Sequence, residues 1–176
     1  PTDWQFLLGG DFNIQSSSQS AYQEMTGSKA NNNGRLFDPI KTPGSWNNNF
    51  AYRFVHTQDP AGPGGMDDRH DQLLVTQTLV DGSGFDYLGM PSVPYSTTTW
   101  NDANHTARPW GNDGTPYNTS LTVTGNQMVG AVIAQALIDS AQGQGHLPVF
   151  LDRLVPAEND TDTVIDFGVN VQKNAA

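Results

Sequence analysis

The 176-residue chain carries 36% hydrophobic and 10% aromatic residues, enough to build the core of one ordinary domain. Its 18 acids outnumber its 8 bases for a net charge of −10, and the few Lys and Arg are scattered, which argues against loose electrostatic attachment to nucleic acid. Cysteine is absent, so disulfides and thiolate metal sites are excluded, and no apolar run reaches the roughly 18 residues of a membrane span. Abundant Asn, Gly, Ser and Thr with scarce Lys point by composition to an extracellular or cell-surface protein.

The first predicted element is an apolar strand, Phe6-Leu7-Leu8, which ends in Gly9-Gly10 and leads into Asp11-Phe12-Asn13. Residues i and i+2 of an extended chain point the same way, so Asp11 and Asn13 should converge at the strand end. They offer a carboxylate for a metal or an attacking water, and an amide donor for a charged substrate oxygen. Gly-Asp-x-Asn equally suits a turn in which Asp and Asn bond their own backbone. Ser16 to Ser18 are cap candidates for a short helix over 19–25 that Gly27 ends. The Asn/Gly/Pro-rich stretch 29–49 reads as loop, anchored by Leu36, Phe37, Ile40 and Trp46.

A second strand is expected over 50–57, a turn over 59–65, and a third strand, rich in Leu, Val and Thr, over 71–78. Residues 86–90 allow another short strand, whereas 91–117 is polar loop with Trp100 and Trp110 as islands. Helical spacing of Met128, Val129, Val132, Ile133, Leu137 and Ile138 predicts a helix over 126–140. It ends at Gly143 and Gly145, and a closing strand follows over 147–155. Beyond Pro156 comes a linker-like acidic run, 157–162, and then an alternating segment, 163–169, that fits an edge strand or the first strand of a following β-sandwich. The expected class is α/β, with 1–156 as the domain and 157–176 as the linker and possible strand.

Three segments at the ends of predicted strands combine: Gly10-Asp11-Phe12-Asn13, then Asp68-Arg69-His70-Asp71-Gln72-Leu73-Leu74-Val75, then Gly145-His146-Leu147-Pro148-Val149. In order and spacing they resemble the C-terminal half of the endonuclease/exonuclease/phosphatase superfamily, the metal-dependent phosphodiesterases similar to pancreatic-type deoxyribonucleases, over roughly residues 5 to 155. His56-Thr57-Gln58, Gly64 to Arg69, Gly111 to Gly114 and Asn118 look like a secreted bacterial branch of it, with no chemical role assigned. The resemblance implies part of a four-layer α/β sandwich, two packed sheets with outer helices. It implies that Asp11 orients or deprotonates the attacking water, that Asn13 binds the scissile phosphate, and that Asp71 supports the catalytic His146. Such a pair is physically sound, because a carboxylate fixes the imidazole tautomer and favours its charged form.

The implied cofactor is a divalent metal, Mg²⁺ first and Mn²⁺ or Ca²⁺ after it, with Asp11 and Asn13 as ligands and a phosphate ester, nucleic acid among the options, as substrate. Two departures count against full activity. Gly145 stands where the family has an Asp before the histidine, so a Gly145→Asp change should raise activity if its loss impairs the site. The family's N-terminal half, with its metal-binding Glu and the Asn beside it, has no counterpart before Asp11, so this chain should bind metal poorly, with Asp67 or Asp68 as conceivable substitutes. An impaired member serving as a binding or structural module is the second reading, and an α/β domain with three ordinary strand-end turns the third. His56 and His105 read as surface or hydrogen-bonding residues, and His70, next to Asp71 on an alternating strand, should face away from it.

Overall fold

The computed structural model describes residues 4–143 and 145–156. Helices and strands are mixed, and the strands form small antiparallel sheets. The central strand is β3 (Asp71–Thr76), flanked by β1 (Leu7–Asp11) and β2 (Leu36–Phe37). Leu7 pairs with Val75 and Asp11 with Asp71, so the two carboxylates stand directly opposite each other. Residues opposed in this way project to the same face of a sheet, and like charges there repel unless a cation or donor lies between them.

Helix α1 (Ser20–Thr26) sits where the pattern places it, although Gln19 rather than a serine occupies the cap position, and Gly27 ends it by donating to the Gln23 carbonyl at 2.8 Å. Its buried Tyr22 joins Ile14 and Trp46 in one small core, with the Tyr22 and Trp46 rings edge-on at 5.4 Å. The loop anchors divide: Trp46 and Ile40 are buried, whereas Leu36 and Phe37 are half-buried and pair with β3.

The expected strand over 50–57 is instead a 3₁₀ helix, Phe50–Val55. Asn49 starts it by accepting from the Ala51 amide at 3.1 Å, and the Arg53 guanidinium lies over the Phe50 and Phe54 rings at 4.1 and 4.2 Å. Phe54 and Val55 are buried in succession, which strict strand alternation does not allow. They enter the largest apolar cluster with Ile40, Tyr87, Tyr95 and Ala107.

Helix α2 covers Gly130–Ser140, beginning four residues later than its apolar spacing suggests. The Asn126 side-chain oxygen accepts from the Met128 and Val129 amides at 3.0 Å each, and this local bonding displaces the helical ladder. Ala134 is its fully buried residue, packed with Met66, Leu121 and Leu147, while Val132 faces solvent.

The remaining strands are short. The stretch over 86–90 forms a strand only as β4 (Asp86–Tyr87), with an isolated bridge from Gly89 to His105 beyond it, and the supposed polar loop contributes β5 (Arg108–Pro109). The single closing strand is divided into β6 (Val149–Phe150), paired with β5, and β7 (Arg153–Leu154), paired with β4. Among the described residues no helix is long and apolar enough to cross a membrane. The expectations for 157–176 lie outside the described residues.

Candidate active site

Asp11 closes β1, Asp71 opens β3, and His146 lies on the segment that bridges to Gln58, so three distant stretches of chain meet at one sheet end. His146 Nδ1 is 2.7 Å from Asp71 Oδ2 and 3.9 Å from Asp11 Oδ2. An ionised carboxylate only accepts, so the Nδ1 proton sits between imidazole and Asp71, and Nε2 is the nitrogen left to meet a substrate. The histidine also answers the repulsion between the opposed carboxylates. Asp71 and His146 are half-buried, and Asp11 is the open member of the group, with a side chain 40% exposed.

Asn13 comes to Asp11 by a turn rather than by strand alternation. The strand ends at Asp11, Asn13 adopts a left-handed φ of 51°, and its amide donates to Asp11 Oδ1 at 2.9 Å. Its side-chain Nδ2 lies 3.5 Å from Asp11 Oδ2. The backbone-bonded turn and the convergence of the two side chains are therefore one geometry.

His70 does not face away from the site. It precedes β3, so strand alternation does not reach it, and its ring centroid is 5.9 Å from that of His146. Its Nε2 lies 3.1 Å from Asp68 Oδ2, an ion-pair approach without the alignment of a directed hydrogen bond. The contact with Asp68 raises the His70 imidazole above its ordinary 6.5, burial opposes this, and the charges of Asp68, Asp11 and Asp71 add to the rise. Burial works to raise the Asp68 carboxyl, but His70 and the amides of Asn47 and Gln15, each 2.8 Å from Oδ2, hold it below the usual range. Asp68 is thus fully buried and fully engaged, and its carboxylate is not free for a metal.

Arg69 anchors the same strand end from the other side. It is buried and forms a fork with Asp38, Nη1 to Oδ2 at 2.7 Å and Nη2 to Oδ1 at 3.0 Å, and it also reaches the Thr42 hydroxyl. Burial alone would raise the Asp38 carboxyl; the guanidinium and the Ile40 amide and Tyr22 hydroxyl bonds bring it below the usual range. Arg69 therefore has a structural partner and is not a phosphate ligand.

Thr57 is the positioning residue that sequence reasoning missed. Its hydroxyl accepts from the Asp71 amide at 3.1 Å, its carbonyl accepts from the Leu147 amide at 2.8 Å, and its own amide donates to the Asp68 carbonyl at 2.7 Å. One residue so ties the strand of Asp71 to the segment of His146. Nothing local in His56-Thr57-Gln58 signals this, because the three bonds reach across 10 residues or more of chain. His56 is wholly buried with Nε2 at 3.0 Å from the Trp46 carbonyl, and burial lowers its imidazole. His105 is buried against Asp102, with Nδ1 3.0 Å from Oδ2. Neither is a surface group.

Gly145 is held by a close approach. A β-carbon there would stand 2.5 Å from the Ala141 Cα and carbonyl oxygen, just past the end of α2. A side chain before His146 therefore requires the segment to move, and Gly145→Asp would not simply restore a carboxylate. Among the described residues no three His, Asp or Glu side chains converge on a metal position. Asp11 and Asn13 offer one open carboxylate and one amide oxygen, short of a full ligand set. Comparison with protein-family models, with curated proteins and with solved structures finds no match.

Proposed function

We propose that this chain carries a phosphoesterase site of the endonuclease/exonuclease/phosphatase type, hydrolysing a phosphodiester by attack of water on phosphorus. The observation that carries the reading is the 2.7 Å His146–Asp71 contact beside Asp11, made by three segments that are far apart in sequence. In this reading His146, when protonated, donates from Nε2 to a phosphoryl oxygen, Asp71 holds the ring, and Asn13 Nδ2 donates to the same phosphate. Asp11, open to solvent, accepts the proton of the attacking water or orients it.

The reading includes a divalent cation of the Mg²⁺ type and a four-layer sandwich to which the observed sheets would contribute. The residues present do not complete a metal site, so the remaining ligands belong to the proposal and no step is derived through the ion. An extracellular or cell-surface setting is part of the same proposal. Gly145 favours a second reading, an impaired relative that binds without turnover, because its backbone leaves no room for the missing carboxylate.

The test is hydrolysis of bis-p-nitrophenyl phosphate and of plasmid DNA by the full-length protein, with Mg²⁺, Mn²⁺ or Ca²⁺ against EDTA. Metal-dependent turnover that His146→Ala and Asp11→Ala abolish and Asp71→Asn reduces by about 10²–10⁴-fold is expected. Wild-type rates in all three variants would place the chemistry elsewhere. No turnover with any metal from folded protein would favour the binding module.

A further inference from the structure

Strand β1 is exposed along its whole length, and among the described residues its second edge pairs with no other strand. Trp4, Phe6, Leu7 and Leu8 are between 41% and 57% exposed, and no charged residue occurs from Trp4 to Gly10. An open edge that carries apolar side chains, with neither Lys nor Pro to blunt it, is a template for another strand. In a chain with a net charge of −10 it is also a stretch on which two copies can meet without like charges opposed.

The direction of the free backbone groups limits how a strand can add. The Thr76 amide donates to the Phe6 carbonyl at 3.1 Å and the Phe12 amide to the His70 carbonyl at 3.0 Å, so the even-numbered residues turn their polar backbone toward β3. Gln5, Leu7, Gly9 and Asp11 therefore turn theirs outward. Two copies of β1 set antiparallel across a two-fold axis at Leu8 satisfy this pattern. Leu7 exchanges bonds with Gly9 of the second copy, and Gln5 does so with Asp11 of the second copy. The side chains match in the same register. Leu8 meets Leu8 on the axis, in line with the buried Leu74. Phe6 of the second copy lies opposite Gly10, where an added β-carbon would meet nothing within 4 Å. Leu7 of the second copy lies opposite Gly9, over which Leu73 already leans. Phe6 and Leu7 each face a glycine, and Asp11 faces a neutral amide. With the axis on Gly9, Leu7 would oppose the Asp11 carboxylate instead.

We infer that this chain forms a two-fold dimer through β1, with Leu8 on the axis, joining two three-stranded sheets into one. The interface reaches the candidate site. Residues opposed across neighbouring strands project to one face, so Gln5 of the second copy, Asp11 and Asp71 stand in one row beside His146. The amide N–H groups of that glutamine then meet the Asp11 carboxylate, the open member of the group. The dimer stands on β1 alone and does not depend on the phosphoesterase reading.

The experiment is sedimentation equilibrium of the full chain over a wide concentration range, in wild type, Leu8→Lys and Val132→Lys. Wild type should fit a reversible monomer–dimer equilibrium. Leu8→Lys sets two cations against each other on the axis and should weaken association by about tenfold or more, whereas Val132→Lys, 85% exposed on α2, should leave it unchanged. Single cysteines, in a chain that has none, read the register without adding charge. Opposed residues of a non-hydrogen-bonded pair have Cα atoms about 4.5 Å apart, within disulfide reach, so oxidation should capture Leu8→Cys as a covalent dimer. Leu7→Cys lies out of line with its own copy, beyond the roughly 7 Å limit, and should cross-link far less. Wild type that stays monomeric throughout, Leu8→Lys that associates as well as wild type, or Leu7→Cys that cross-links as readily as Leu8→Cys would each overturn the proposal.

Discussion

Asp38→Ala should be among the most damaging single changes in this chain. Arg69 is 3% exposed and its guanidinium forks onto Asp38, so removing the carboxylate strands a buried cation. Breaking such a pair costs about 3–5 kcal/mol, against a total stability of roughly 5–15 kcal/mol for an ordinary domain. The Tyr22 hydroxyl at 3.0 Å and the Ile40 amide at 3.3 Å lose their acceptor together with Arg69, which places the expected loss at the upper end of that range. With a urea slope of about 2 kcal/mol/M, the unfolding midpoint should fall by about 2 M. The companion variant is Asp38→Leu with Arg69→Met, which takes out both charges and keeps apolar volume. It should recover most of the loss, because well-packed apolar replacements of a buried pair are often neutral. An Asp38→Ala midpoint within about 0.5 M of wild type, or a double variant no more stable than the single, would refute the assignment of this pair as the anchor of the strand end. Arg69 is two residues before Asp71, so lost activity in Asp38→Ala would follow from displacement of the site.

The His70–Asp68 pair gives a pH signature. The folded-state imidazole is raised above 6.5, so its stabilisation is complete below that pH and is lost as pH climbs through the folded value. Wild-type urea midpoints should therefore decline from mildly acidic to mildly basic pH, and His70→Gln should flatten the decline; parallel profiles would remove the pair from the account. Thr57→Val, which keeps shape but removes the acceptor of the Asp71 amide, should cost about 1–3 kcal/mol, with Thr57→Ser close to wild type by thermal unfolding. Gly145→Ala should cost about 1–3 kcal/mol through its collision with Ala141, and Gly145→Asp should not raise hydrolysis. Unchanged melting in Gly145→Ala would mean that the segment yields freely.

Local signals were sufficient where one face or one turn decides an element. The Leu/Val/Thr run that became β3, the Gly27 stop of α1 and the buried Trp46 all carry their cause within a few residues. The failures have specific competitors. Phe50–Val55 has the aromatic and β-branched content of a strand, but Asn49 caps it and Arg53 stacks on two of its rings, and these local contacts select a 3₁₀ turn. The closing segment reads as one strand because its apolar run is continuous; its halves pair with β5 and β4, partners that its own sequence does not announce.

The site divides along the same line. The family resemblance singled out Asp11, Asp71 and His146, which do lie together, whereas nothing local pointed to the residues that hold them. Asp68 looked like a spare metal ligand, and it is instead the acceptor that joins Gln15 and Asn47 and the ion-pair neighbour of His70. His70 looked excluded by alternation, and it escapes because the strand begins one residue later. The consequence concerns charge. Asp11, Asp68 and Asp71 gather at one sheet end with two imidazoles between them, and Arg69 is already committed to Asp38. Three carboxylates at one sheet end, with the nearby guanidinium engaged elsewhere, make a poor surface for a phosphate ester. On the proposed phosphoesterase reading, added divalent cation would offset this charge, so affinity for a phosphate-ester analogue should weaken in EDTA and be restored by metal.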